Sequence, residues 1–193
     1  HMTPEQRLHI LREALVRRQN RRHKPPRSFE NTYYKFDILG DYGIYRDLQR
    51  HRILTQERQD LTVIHGFDVP KDIIDAGLER RYNEAMAVAK DTYHTIALNY
   101  PKQAQYVVPF AYRIRWYNYI NLRGLAWMTE LRSGRQGHPN YRRIAQKMYA
   151  KVRAVHPSLV EAMRFVDMND YTFARLAAEM EKEQRQKTLA VQR

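Results

Sequence analysis

Apolar residues recur at helical spacing near the start of the chain, at Leu8, Leu11 and Leu15, with Ile10 and Ala14 widening the stripe. Thr3 can cap this helix, Pro4 suits its first position and Gln6 completes a capping box. Pro25-Pro26 stops any helix, because each ring removes a donor and restricts the residue before it, so Arg22 to Ser28 reads as a linker. From Phe29 to Leu39 the pattern turns strand-like, with Tyr34, Phe36 and Ile38 alternating. Gly40-Asp41 predicts a turn and Tyr42 to Arg52 a short helix. Leu61 to His65 reads as a short strand ended by Gly66.

Two helices follow, Lys71 to Ala76 closed by Gly77, and Leu78 to Leu98 with Tyr82, Ala85, Ala89, Tyr93 and Ile96 on one side. Tyr106 to Ile120, rich in Tyr, Val, Ile and Trp, reads as strand broken at Pro109. Asn121 to Arg132 reads as helix, and Ser133-Gly134 with Gly137 as loop. Tyr141 to Val155 is amphipathic, presenting Tyr141, Ile144, Ala145, Met148, Tyr149 and Val152 on one face. Pro157 starts a further helix, and a last one begins near Asp170, burying Phe173, Leu176, Ala177 and Met180. These elements sum to an α+β class: a mostly helical single domain with a small antiparallel sheet.

Charge narrows the partners. The chain carries 34 Lys and Arg against 21 Asp and Glu, a formal +13, which implies an anionic partner or an anion-attracting surface. Much of the excess comes early, in Arg7, Arg12, Arg17, Arg18, Arg21, Arg22, Lys24 and Arg27, where a solvated helix face serves equally well. With no cysteine, disulfides, zinc–thiolate sites and cysteine nucleophiles are excluded. The eight histidines show no ligand spacing on a shared face, so no metal is expected. No apolar run approaches a span of about 18 residues, and cytoplasmic residence is the expectation. His1-Met2 reads as the remnant of a cleaved tag.

Two clusters could carry chemistry. Arg50-His51-Arg52 ends the short helix; three consecutive groups fan out by about 100° each and can hold a polyanion from several sides. Alternatively they answer the helix dipole, or pair with Asp47. Asn121-Leu122-Arg123 and Glu130-Leu131-Arg132 share one helix with Gly124, whose cost in a helix suggests a close approach of backbone or ligand. With Ser28-Phe29-Glu30-Asn31 before them, and with their order and separation over Phe29 to Phe165, these segments resemble the flavin-dependent thymidylate synthase family.

The resemblance implies a flavin site. Arg50, His51 and Ile53 match flavin-contacting positions, as do Asn121 and Arg123. Four residues after that arginine, where the family often carries His or Asn, stands Trp127, which can stack on a ring but cannot supply the same hydrogen bonds. The nucleotide side departs from the family. Asp60 stands at the family's serine, which follows the RHR segment after seven intervening residues, where a carboxylate repels the dUMP dianion. Thr62 and Gln105 stand for two arginines, Arg58 for a glutamate and Asp47 for a glutamine; Arg132 alone keeps its nucleotide-binding type. The family's first strand and helix are replaced by a basic helix.

Three readings stay open. As an enzyme domain, the chain would use FAD, with NADPH and methylenetetrahydrofolate as co-substrates, to convert dUMP to dTMP; the family uses no protein nucleophile, so no residue is named as catalytic. As a diverged member, it would complete the site of a catalytic partner, for the family assembles its sites from several subunits of a homotetramer. As a basic nucleic-acid-binding or assembly protein, it would use its charge and its 14 tyrosines as phosphate contacts and stacking platforms. The chain is expected to be part of a longer protein or a second copy in a tandem arrangement. The expected parts are the tag remnant 1–2, a basic helix and linker 3–27, the synthase-like domain 28–180 and a charged tail 181–193.

Overall fold

Thr3 caps α1, Pro4–Leu15: its hydroxyl accepts from the Gln6 amide at 3.3 Å, and the Gln6 side chain accepts from Thr3 N–H at 2.9 Å. This is the capping box that the sequence predicts. The computed structural model describes residues 2–171 and 179–185. The chain divides into two compact units, His1–Tyr34 with Ile120–Arg193, and Lys35–Tyr119.

In the first unit, α5, Leu122–Arg132, supplies the centre of the core through Leu122, Leu125, Ala126 and Met128. Against it lie α6, Pro139–Val155, which buries Ala145, Met148 and Val152, and a 3-10 helix at Leu159–Met163 where the sequence predicts the helix after Pro157. Leu15 of α1 is buried, but Ile10 and Ala14 are exposed, so the stripe is narrower than its spacing suggests. Beyond α1, Arg18 is buried with Glu130 of α5. Its guanidinium also donates to Ala162 O at 2.8 Å, and Glu130 accepts from Phe165 N–H at 3.1 Å, so the buried pair is surrounded by hydrogen bonds. Such satisfaction is the condition under which an interior ion pair is tolerated.

Phe29, expected to open a strand, belongs instead to a 3-10 helix, Arg27–Asn31, which buries it. The strand β1 is Tyr33–Asp41 and runs through Gly40-Asp41 without the expected turn. Gly40 is there for space: a Cβ would lie 3.2 Å from the Trp116 ring. Asp41 then caps α2, Tyr42–Leu48, accepting from Ile44 N–H at 2.7 Å.

The second unit holds the three-stranded antiparallel sheet, in the order β1-β3-β2. Its centre is β3, Arg113–Asn121, shorter than expected because Gln103–Val107 is a 3-10 helix and Pro109 lacks a ladder donor. The strand β2, Thr55–Arg58, pairs Thr55 with Tyr119 and Arg58 with Trp116. Leu61 to His65, expected as strand, is irregular, although Leu61 and Val63 are buried, and Gly66 turns it with φ 65°. Helix α3, Lys71–Asp75, ends at Gly77 with φ 69°. Helix α4, Glu79–Ala97, half-buries Tyr82, Ala89, Tyr93 and Ile96; Ala85 is exposed, contrary to its place in the predicted stripe.

Residues 179–185 are helical, and Met180, expected to be buried, is exposed. Phe173, Leu176 and Ala177 lie outside the described residues. Among the described residues no helix is long and apolar enough to cross a membrane.

Candidate flavin- and nucleotide-binding residues

The Arg-His-Arg segment follows α2 rather than ending it. Leu48 is fully buried, Gln49 N–H bonds to Tyr45 O at 2.8 Å and His51 N–H to Leu48 O at 3.2 Å, which closes the helix and fixes the turn. Arg50 and Arg52 are exposed and His51 is half-buried; Arg50 and Asp47 form no ion pair among the described residues. Ile53 is 81% exposed, between a helix with a buried end and a strand paired to β3. Fixed backbone on both sides thus presents two cations and an uncovered aliphatic side chain.

Farther along the same unit, Asp60 is exposed and bonded to Lys102 Nζ at 2.8 Å. That hydrogen bond and the ammonium charge hold its carboxyl below the usual aspartate range. Gln105 accepts from Leu61 N–H at 2.9 Å and donates toward Lys102 O at 3.4 Å. Asp60 and Gln105, 45 positions apart in sequence, therefore share one cluster through Lys102. Lys102 is not legible in the sequence, since a lysine 42 positions from Asp60 gives no spacing signal.

In the first unit, Asn121 sits where β3 passes into α5 and caps that helix. Its Oδ1 accepts from Gly124 N–H at 2.8 Å. A Cβ at Gly124 would stand 3.3 Å from both Asn121 Oδ1 and Ile120, so the glycine admits the cap, and the close approach foreseen at this position is to the chain itself. The Asn121 amide donor keeps its hydrogens, having no partner among the described residues. Arg123 is half-buried and already engaged: Nε donates to Pro25 O at 2.8 Å and its guanidinium to Glu30 at 2.8 Å. Glu30 is also held by Arg27, and the hydrogen bond from Arg27, then those from Arg123, keep its carboxyl below the usual range.

One turn on, Trp127 is 37% exposed and carries the Arg21 guanidinium 5.4 Å from its ring centre. Arg132 ends α5 with its guanidinium 5.4 Å from the Tyr141 ring centre. The structure therefore gathers Asn121, Arg123 and Trp127 on the first turns of α5, joined by Arg21 and Glu30 of the N-terminal segment, and sets Arg132 at the other end. Arg21 was legible only as one cation in a basic run.

A model of the family described as thymidylate synthase complementing protein, Thy1, matches residues 4–158. The chain belongs to the Thy1 family.

Curated relatives of this Thy1 chain are uncharacterised by name. A UPF0159 protein of Chlamydia pneumoniae is 47% identical over 94% of the chain, and one of Thermoplasma acidophilum is 46% identical over 90%. The chain spans about a third of the length of these relatives, 34% and 35%. Among solved structures, the Streptomyces cacaoi UMP/dUMP methylase PolB, bound with 5-Br dUMP, matches with a TM-score of 0.69 at 20% identity, covering 85% of this chain and 81% of that one. Helicobacter pylori thymidylate synthase X (ThyX), with FAD and dUMP, matches with a TM-score of 0.60 at 15% identity, covering 83% and 81%. At such identities the likeness shows the Thy1 fold.

Proposed function

We propose that this Thy1 domain binds FAD through Arg50, His51, Ile53, Asn121, Arg123 and Trp127, and works as a diverged member of its family that helps complete a site in a larger assembly. The observation that carries this reading is Ile53, an isoleucine four-fifths in water beside the exposed Arg50, on backbone fixed from both sides. An apolar side chain in the same short segment as a phosphate-binding cation suits a flavin nucleotide; other large aliphatic groups, Leu98 at 83% among them, are as exposed, so what sets Ile53 apart is its place directly after Arg-His-Arg. The chemistry of the other residues fits as well: the Asn121 amide offers donors, and Trp127 offers a ring face.

When bound, FAD would supply hydride transfer from NADPH toward the one-carbon unit brought by methylenetetrahydrofolate to dUMP. Arg50 and His51 would hold the cofactor, Asn121 would donate a hydrogen bond to it, and Arg132 would meet nucleotide phosphate. The altered nucleotide positions Arg58, Asp60, Thr62 and Gln105 favour an auxiliary role beside a catalytic partner or further copies of the chain.

Titration of FAD, followed by flavin fluorescence and calorimetry, tests the reading. Arg50→Ala is the cleanest variant, because Arg50 has no hydrogen-bond or ion-pair partner among the described residues, and it is expected to weaken FAD binding roughly tenfold, the worth of a charge-assisted hydrogen bond. Arg123→Ala would also release Pro25 and Glu30, so it is informative only beside Arg50→Ala. Absence of FAD binding into the millimolar range, or binding indifferent to Arg50→Ala, would overturn the proposal.

A further inference from the structure

The net charge is divided unequally. The unit His1–Tyr34 with Ile120–Arg193 holds 22 of the 34 Lys and Arg and 10 of the 21 Asp and Glu, so it carries +12 of the +13. Within it, α6 contains no acidic residue over its 17 positions. Arg143, Lys147 and Lys151 follow one another at four-residue intervals along its exposed side, and none has an ion-pair or hydrogen-bond partner among the described residues. Like charges at that spacing repel and weaken a helix. In Lys35–Tyr119 two exposed helical cations have acidic partners four residues on, Lys71 with Asp75 at 2.6 Å and Arg80 with Glu84 at 2.9 Å, and no row of three cations at four-residue intervals forms among the described residues. Apart from Lys147, Ala150 is the one exposed residue between Arg143 and Lys151, and it is too short to obstruct the row.

We propose that this row on α6 binds the phosphate backbone of single-stranded nucleic acid. Four helical residues advance about 6 Å along the axis, so each successive cation can meet a successive phosphate of an extended strand. The contacts are to backbone alone and carry no base preference. A membrane surface is the wrong partner for this helix. Interfacial helices insert a free apolar face, whereas the apolar face of α6 is already spent on Ala145, Met148 and Val152 in the core.

The test is fluorescence anisotropy of a labelled oligo-dT strand with the full chain, at several salt concentrations. The original chain binds at low salt, and affinity falls as salt rises. The triple variant Arg143→Ala, Lys147→Ala, Lys151→Ala weakens binding at least tenfold. It also lowers the slope of log affinity against log salt by about 2, at roughly 0.7 per lost phosphate contact. A matched variant, Lys71→Ala, Arg80→Ala, Lys90→Ala, removes the same charge from the other unit and binds like the original. Circular dichroism confirms that both fold. FAD titration of the α6 variant is unchanged, which separates this proposal from the flavin reading. No binding at low salt, equal loss in both variants, or tighter binding to phosphatidylserine vesicles than to the strand overturns it.

Discussion

Asp60 illustrates how one substitution is answered by a neighbour. A carboxylate stands where the family resemblance implies serine, yet Lys102 holds it at 2.8 Å, so the pair is neutral as a whole. A nucleotide phosphate arriving here competes with Asp60 for the ammonium instead of meeting a bare anion. Asp60→Ser should leave Lys102 free and tighten dUMP binding roughly two- to fivefold, the worth of an exposed charge pair. Calorimetric titration of dUMP into both proteins reads this directly. Weaker binding by the variant, or unchanged binding, would mean that Lys102 does not face nucleotide.

At the scale of elements, the 3-10 helix Arg27–Asn31 is latched to α5 through Glu30, which Arg27 and Arg123 both hold. The folded Glu30 carboxyl titrates below its ordinary value of 4.5, so the latch contributes fully above that value and is lost as pH falls through the lower folded one. The Arg123 Nη1–H resonance, from the group that donates to Glu30, should therefore persist in nitrogen-edited NMR spectra at neutral pH and fade in acid below about 4.5, before global unfolding. Glu30→Gln should remove that acid transition. A resonance constant until the whole protein unfolds would refute the latch.

The same scale decides what the sequence could reveal. Helices α1, α5 and α6 were legible because capping residues and periodicity are local, and the Asn121 and RHR segments because their residue types and order are read along the chain. Strand β2 was not: Thr55-Gln56-Glu57-Arg58 has no apolar alternation, and only pairing with β3, about 60 residues away, makes it a strand. Leu61 and Val63 alternate like a strand and are buried like one, but among the described residues no partner strand pairs with them. Phe29 sits in the core without extended backbone, because burial alone does not choose a conformation. The contacts of Lys102, Glu30 and Arg21 are not legible for the same reason: each acts on a residue many positions distant.

Across the whole molecule, the Arg18–Glu130 pair ties the segment after α1 to the core of its unit. Removing one partner leaves a charge in the interior, at a cost of about 3–5 kcal/mol out of a typical total of roughly 5–15 kcal/mol. Arg18→Met alone should lower the urea midpoint sharply, whereas Arg18→Met with Glu130→Met should recover most of the loss. A single variant as stable as the original would show that water reaches Glu130. The pairing also bears on how such genes can be recombined. The basic arm before Pro25-Pro26 looks like a detachable leader to a domain beginning near residue 28, and a crossover at the prolines would seem harmless. It would instead pass on Glu130 without the arginine that answers it, so arm and helix must be inherited together.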